Sequence, residues 1–241
     1  MDTIEHVDQL QDHWWWRPGW RAGRHFYACH ITIEDQPELQ RLVARYRAAL
    51  ANIKGLDLIP DRWLHLTMQG IGFVDEVSDA DLGAVRDAIA GETVQVQGPT
   101  VVFHRPVVRL EAVYLPATPA APLRDLRAAV RSGIVRALGA GRVADATESL
   151  ANYRPHVSIA YSNTDQDAEP IVAALRAVEA DAARVTFAHL SLLEFHRDNR
   201  MYEWVSSQPL PLSPGADGPG RTAIPREWRT IGMPDGQGRP K

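Results

Sequence analysis

The sequence predicts a duplicated α+β fold, two units related by a pseudo-two-fold axis around a central cleft. Three observations predict it. Strand-like and helix-like runs alternate along the chain; their order is the same in two halves, about 25–103 and 107–207; and each half carries His-x-Thr/Ser-apolar at its third element. The two copies are Trp63-Leu64-His65-Leu66-Thr67-Met68 and Arg154-Pro155-His156-Val157-Ser158-Ile159, with His65 and His156 standing 91 residues apart. A pseudo-two-fold axis brings two such strands face to face.

The elements follow in order. Residues 1–24 form an arm that clusters Trp14, Trp15, Trp16 and Trp20 around Arg17-Pro18-Gly19. Its aromatics either pack over a core seam or offer a stacking face to a base. His25–Ile33 is aromatic and β-branched and predicts a strand. Pro37 sits at a first-turn position, and Leu39, Leu42, Val43, Tyr46 and Leu50 carry a helix over 37–50. After a turn region from Gly55 to Pro60 comes the first motif strand, 62–68. Ser78 caps a helix over 79–90, with Leu82, Val85 and Ile89 as its stripe and Gly91 as its stop. Thr93–Gln97 alternates as a half-exposed strand, and Val101–Phe103 and Val107–Leu115 predict two more. The longest helix, 122–138, carries Leu123, Leu126, Val130, Ile134, Val135 and Leu138 and stops at Gly139 and Gly141. The second motif strand spans 155–161, and Glu169-Pro170 opens a helix through Val178. Strand-like runs at 184–187 and 190–197 lead to a hairpin turn at Asp198-Asn199 and a return over 201–206. The main domain therefore covers 25–208. From 209 to 241 proline, glycine and serine dominate, which predicts a tail of low order with Ile224 and Trp228 as candidate anchors.

Composition narrows the function. With 26 basic and 30 acidic residues the net charge is −4, which argues against a protein that coats long nucleic acid but admits a nucleotide or an RNA end. One cysteine, Cys29, allows no internal disulfide and sits in an apolar strand as inert packing. There is no basic-then-apolar leader and no long apolar run, so a cytoplasmic protein is expected. A monomer with no obligate protein partner is expected as well.

The motifs themselves point to chemistry. In a strand, residues i and i+2 share a face, so His65 lies with Thr67 and His156 with Ser158, while Leu66, Val157 and Ile159 face a core. Two imidazoles and two hydroxyls in matched pairs suit acid–base chemistry on a phosphate. This constellation resembles the 2H phosphoesterase superfamily, in particular its 2′-5′ RNA ligase-like branch. The likeness rests on His65, Thr67, His156 and Ser158, the Pro155-His156 step and the apolar residue after each hydroxyl, and covers about residues 25–207. It implies two lobes of antiparallel sheet with outer helices around a V-shaped cleft. It also implies cleavage or formation of cyclic and 2′,5′-type phosphodiesters without a metal or other cofactor. By that resemblance His65 and His156 are the catalytic pair, and Thr67 and Ser158 hold phosphate oxygens. The chain departs from its relatives at Ser158, where they have threonine, and at Ala160-Tyr161-Ser162, where they tend to place a basic residue. Arg154, Tyr161, Arg197 and Tyr202 are the candidate substrate-binding residues in its place.

One histidine must accept a proton from the nucleophile while the other gives one to the leaving oxygen, which predicts a bell-shaped pH–rate profile. The sequence leaves open which is which. It also leaves three functions open: a phosphodiesterase on 2′,3′-cyclic or 2′,5′-linked RNA ends, an enzyme for a small cyclic nucleotide or ADP-ribose cyclic phosphate, and a non-catalytic RNA- or nucleotide-binding module. His25 with His30, and His189 with His196, lack the spacing of a usual zinc pair.

Overall fold

The computed structural model describes residues 4–142 and 150–213. In chain order the elements are β1 (Gln9–Leu10), β2 (Phe26–Thr32), α1 (Pro37–Leu50), β3 (Leu56–Leu58), β4 (His65–Phe73), α2 (Asp79–Thr93), β5 (Thr100–Phe103), β6 (Val107–Val108), β7 (Ala112–Pro116), α3 (Ala121–Leu138), β8 (His156–Ser162), β9 (Gln166–Asp167), α4 (Glu169–Arg176), β10 (Ala183–Thr186), β11 (His189–His196) and β12 (Glu203–Pro211). The main sheet runs β12-β11-β2-β4-β8-β7-β6, with β3 on β8, and all its pairings are antiparallel. This is the expected α+β architecture of antiparallel sheet and helices.

The two lobes meet where β4 pairs β8, at the single couple Leu66↔Val157. Each of these residues follows a motif histidine, so they are equivalents in the repeat and the pseudo-two-fold axis passes between them. The same axis relates β2–β4 to β7–β8 and pairs β5 antiparallel with its counterpart β10. It also sets α2 against α3 and α1 against α4.

Burial explains the helices. α1 buries Leu39, Leu42, Val43, Tyr46 and Leu50, the stripe read from the sequence. α3 buries Leu123, Leu126, Val130 and Ile134. Each fully buried aliphatic side chain contributes about 1.5–3 kcal/mol. The crossing of α3 with α2 is close because Gly133 has no side chain: a Cβ there would lie 2.8 Å from the backbone of Ile89. Gly139, at φ 84°, takes the left-handed conformation that ends α3.

Four sequence expectations change. Thr93–Gln97 is not a strand; α2 continues past Gly91 to Thr93, whose hydroxyl donates to the Ile89 carbonyl at 2.9 Å and keeps the helical turn. Val107–Leu115 is two strands, because Arg109 and Ala112 close a tight turn by exchanging backbone hydrogen bonds. Val135, assigned to the α3 stripe, is 40% exposed. β12 runs to Pro211 with Leu210 and Leu212 buried, so the folded chain extends beyond 208. The remainder of the expected tail, 214–241 with Ile224 and Trp228, lies outside the described residues. Among the described residues no helix is long and apolar enough to cross a membrane.

The arm is tied to both lobes. Residues 5–13 run along the second lobe: His6 bridges Val108, β1 pairs β9, and the His13 N–H donates to the Ser162 carbonyl at 2.8 Å. Lobes and sequence halves do not coincide, because β11 and β12 from the second half add to β2 and so join the first lobe. Residues 19–24 lie on that lobe, where Trp20 packs on Phe26, Phe73 and Phe195 and the Arg24 guanidinium bonds Asp75 and Glu76. Trp14 and Trp20 are packing residues; Trp15 and Trp16 are half exposed.

Candidate active site

Leu66 and Val157 are fully buried between sheet and helices. The antiparallel register about that couple sets His65 opposite Ser158 and Thr67 opposite His156, with all four side chains on the other face. The structure thus brings the four motif residues together.

Both imidazoles are held the same way. His65 Nδ1 lies 2.9 Å from the Trp63 carbonyl and His156 Nδ1 lies 2.7 Å from the Arg154 carbonyl. A carbonyl only accepts, so each Nδ1 carries the proton it donates, and each Nε2 is left for chemistry. Both strands also bulge at the same point. On β4, Thr67 and Gln69 face His30 and Cys29, leaving Met68 over; on β8, Ser158 and Ala160 face Tyr114 and Val113, leaving Ile159 over. Each bulge falls three residues after the motif histidine and re-aims the side chains beyond it. The hydroxyl of Tyr153, from the second lobe, donates to the Thr67 carbonyl at 2.5 Å and braces the first motif strand.

The halves differ in what surrounds each histidine. His30 stacks on His65 at 5.0 Å, and Tyr202 and Trp204 present edges to it at 5.9 and 6.2 Å. Burial in this setting lowers His65 to about 4; the Trp63 carbonyl opposes the shift and the positive charge of His156 adds to it. Burial lowers His30 to about 3, with its Nδ1–H on the Cys29 carbonyl at 2.7 Å. His156 instead has Tyr114 at 4.1 Å, and both motif imidazoles are half-buried. Thr67 is exposed while Ser158 is nearly buried beside the Tyr161 hydroxyl, with which it hydrogen-bonds.

The remaining predicted residues fall in three places. Tyr161 and Tyr202 line the site, 5.6 Å apart. Arg154 is exposed and serves His156 through its backbone carbonyl. Arg197 is 3% exposed, its guanidinium set among the rings of Trp14, Trp20 and Tyr202 and donating to the His13 carbonyl at 3.0 Å. Sequence reasoning missed His30, Tyr114, Tyr153 and Trp204, and it missed His13 and Glu111, which meet beside Tyr202. The first two occupy the repeat-equivalent places opposite Thr67 and Ser158, so laying one motif strand's neighbour over the other's would have found them. Cys29 is buried, and burial pushes its thiol up to about 12. Among the described residues no group of three or more His, Cys, Asp or Glu is arranged to hold a metal ion.

The chain matches the 2′-5′ RNA ligase superfamily over residues 33–199. It is similar in structure to TT0787 of Thermus thermophilus, at 15% identity and a TM-score of 0.55, over 78% of this chain and 97% of that one. It is similar to E. coli LigT complexed with NADP+, at 19% identity and a TM-score of 0.51, over 78% of this chain and 98% of that one. LigT complexed with 3′-AMP gives the same identity, coverage and TM-score. No curated protein matches the chain in sequence.

Proposed function

The chain belongs to the 2′-5′ RNA ligase superfamily, and from that membership we propose that it is a metal-independent phosphodiesterase that opens 2′,3′-cyclic phosphates by His/His acid–base catalysis. The observation that carries the reading is the pair of Nδ1–H bonds to carbonyls two residues upstream, which reserve both Nε2 atoms on one face flanked by Thr67 and Ser158.

The lowered proton affinity of His65 supports one division of roles. His65, lowered to about 4, is neutral at pH 7 and takes the proton from water as the water oxygen bonds phosphorus. His156, the other member of the pair, is then the acid: its Nε2–H passes to the ribose oxygen as the P–O bond to that oxygen breaks. The hydroxyls of Thr67 and Ser158 donate to the non-bridging oxygens as charge gathers there. With a 5′-hydroxyl in place of water the same pair joins RNA ends, so the hydrolase and ligase labels describe one site. Nucleotides suit such a cleft; LigT, of the same fold, has been crystallised with NADP+ and 3′-AMP.

A small cyclic nucleotide or ADP-ribose cyclic phosphate is a second reading. It is favoured by the arm, whose residues His13–Arg17 cross the seam between the lobes beside Tyr161 and Tyr202. The test is turnover in EDTA of 2′,3′-cyclic AMP, of an RNA with a 2′,3′-cyclic end and of a 2′,5′-linked dinucleotide. Turnover lost in His65→Ala and His156→Ala is the expected result. Turnover of none by the unaltered protein leaves a nucleotide-binding module, and full activity in His65→Ala refutes the assigned chemistry.

A further inference from the structure

The arm precedes the region that matches the superfamily, residues 33–199, yet it reaches the catalytic face. Its crossing point is His13, 7% exposed and seated in the seam between the lobes. His13 Nδ1 lies 3.1 Å from Glu111 Oε2, at the tip of the turn between β6 and β7 in the second lobe. His13 Nε2 lies 3.0 Å from the Tyr202 hydroxyl, which the first lobe supplies just before β12. The ring stacks on Tyr161 at 4.2 Å and 17°.

The directions of these bonds are fixed by chemistry. A carboxylate only accepts, so Nδ1–H donates to Glu111, and Nε2 of the neutral ring accepts from Tyr202 O–H. Burial first, then the nearby Arg17, lowers His13 to about 4, so the ring is neutral across the working range. Glu111 is itself held in place. Arg17 Nη2 donates to its Oε2 at 2.6 Å and Trp15 Nε1 to its Oε1 at 3.0 Å. Burial works to raise this carboxyl, but those donors and His13 outweigh it and hold it below the usual range. The arm backbone at His13 is pinned from both sides, by the Ser162 carbonyl in the second lobe and by Arg197 Nη2 in the first. Nothing in this arrangement is loose.

The two tyrosines it holds are the rings nearest the catalytic groups on that side. Tyr202 walls His65 at 5.9 Å, and Tyr161 lies beside Ser158. A hydrogen bond of 3.0 Å to a fixed imidazole holds the Tyr202 hydroxyl in place, and with it the direction in which the ring points from its backbone.

We propose that His13 is a positioning residue for the catalytic face: anchored by Glu111, it fixes Tyr202 against His65 and Tyr161 against Ser158, and so limits the water that reaches the His65 imidazole. The proposal rests on the catalytic reading for its effect on rate, but its effect on His65 is independent of any substrate. His65 is half-buried behind these rings; a partly desolvated imidazole resists protonation, so loosening the wall admits more water and raises its affinity for a proton.

The experiment is an NMR titration of the His65 ring in the unaltered protein, in His13→Ala, in Tyr202→Phe and in the double variant, alongside kcat on 2′,3′-cyclic AMP. In His13→Ala the His65 midpoint rises by about one pH unit, a tenfold gain in proton affinity, and kcat falls about tenfold with KM little changed. Tyr202→Phe removes only the hydroxyl that His13 holds and moves both readouts in the same direction. The double variant matches His13→Ala, because the two residues act through one bond. An unmoved His65 midpoint in a folded His13→Ala protein, or shifts that add in the double variant, overturns the proposal. Should His13→Ala fail to fold, Tyr202→Phe decides alone, and an unmoved midpoint there overturns it equally. Should the unaltered protein turn over no cyclic phosphate, the functional reading falls, while the titration still decides the role of His13.

Discussion

The two halves of the catalytic face share a frame and differ in their surroundings. Each sends an Nδ1–H to a carbonyl two residues upstream, sets a hydroxyl two residues on and bulges one residue later. Beyond that frame they part. At the equivalent place on the flanking strand the first half has buried His30 and the second half-buried Tyr114. The first imidazole has His30, Tyr202 and Trp204 around it, whereas the second has Tyr114. What duplication preserved is hydrogen-bond geometry; what divergence changed is the set of rings around each imidazole. A symmetric pair of imidazoles would compete for one proton; in the mechanism proposed above, the lowered proton affinity of His65 is what makes it the base of the pair.

The hardest blow to this division is loss of either imidazole. His65→Ala and His156→Ala are each expected to lower kcat/KM on a 2′,3′-cyclic phosphate by about 10²–10⁴-fold. Because the two act as a unit, the double variant falls little below the worse single one. Steady-state kinetics checks both, and an additive double variant would break the pairing.

The hydroxyls come next. Ser158 is fixed by burial beside Tyr161 and Thr67 is exposed, so Ser158→Ala is expected to cost about 10²-fold in kcat and Thr67→Ala less. Equal losses would mean that the difference in burial does not reach the phosphate.

A smaller effect tests hydration directly. With His65 lowered to about 4, the acid limb of the kcat/KM profile lies near pH 4 rather than near 6.5. The bell expected from two ordinary imidazoles is therefore stretched on its acid side. Trp204→Ala opens the first half to water and moves that limb upward toward 6.5, while Tyr114→Ala leaves it in place. A limb near pH 6.5 in the unaltered protein would remove the ground for choosing His65 as base.

Much of this was legible in the sequence because it repeats. The helix of 37–50 was read to the residue from Leu39, Leu42, Val43, Tyr46 and Leu50, and the two His-x-Thr/Ser segments declared their strands and their shared face. Period-two alternation misled at Thr93–Gln97, where a hydroxyl bonded to a helical carbonyl outweighed β propensity. The bulges at Met68 and Ile159 leave no mark in composition, since both residues are apolar and buried like any core position. His13 was invisible for another reason. Its meaning comes from Glu111, 98 residues away, and from Tyr202, 189 residues away. The surroundings of each imidazole were the least legible of all, because His30, Tyr202 and Trp204 converge on His65, and Tyr114 on His156, from separate segments of the chain.

The smallest effect concerns stability, and it too separates the halves. His30 is buried neutral and lowered to about 3, while an unfolded imidazole titrates near 6.5. Between those values the unfolded chain binds a proton that the folded chain refuses. Stability is therefore complete above pH 6.5, falls as pH drops through the window, and stops falling below about 3. At pH 5 the cost of this one group is about 2 kcal/mol relative to pH 7.5. His65 and His13, both lowered to about 4, add to the same trend with the same sign. Tyr114 holds the equivalent place in the second half. His30→Phe keeps a flat ring in the stack and removes the titration. Urea unfolding at pH 7.5 and pH 5 is the measurement. The loss between the two is expected to be smaller in His30→Phe by about 1–2 kcal/mol, with Tyr114→Phe indistinguishable from the unaltered protein. If His30→Phe loses as much as the unaltered protein, the acid lability does not reside in the His65 half, and the contrast in surroundings between the halves has no thermodynamic trace.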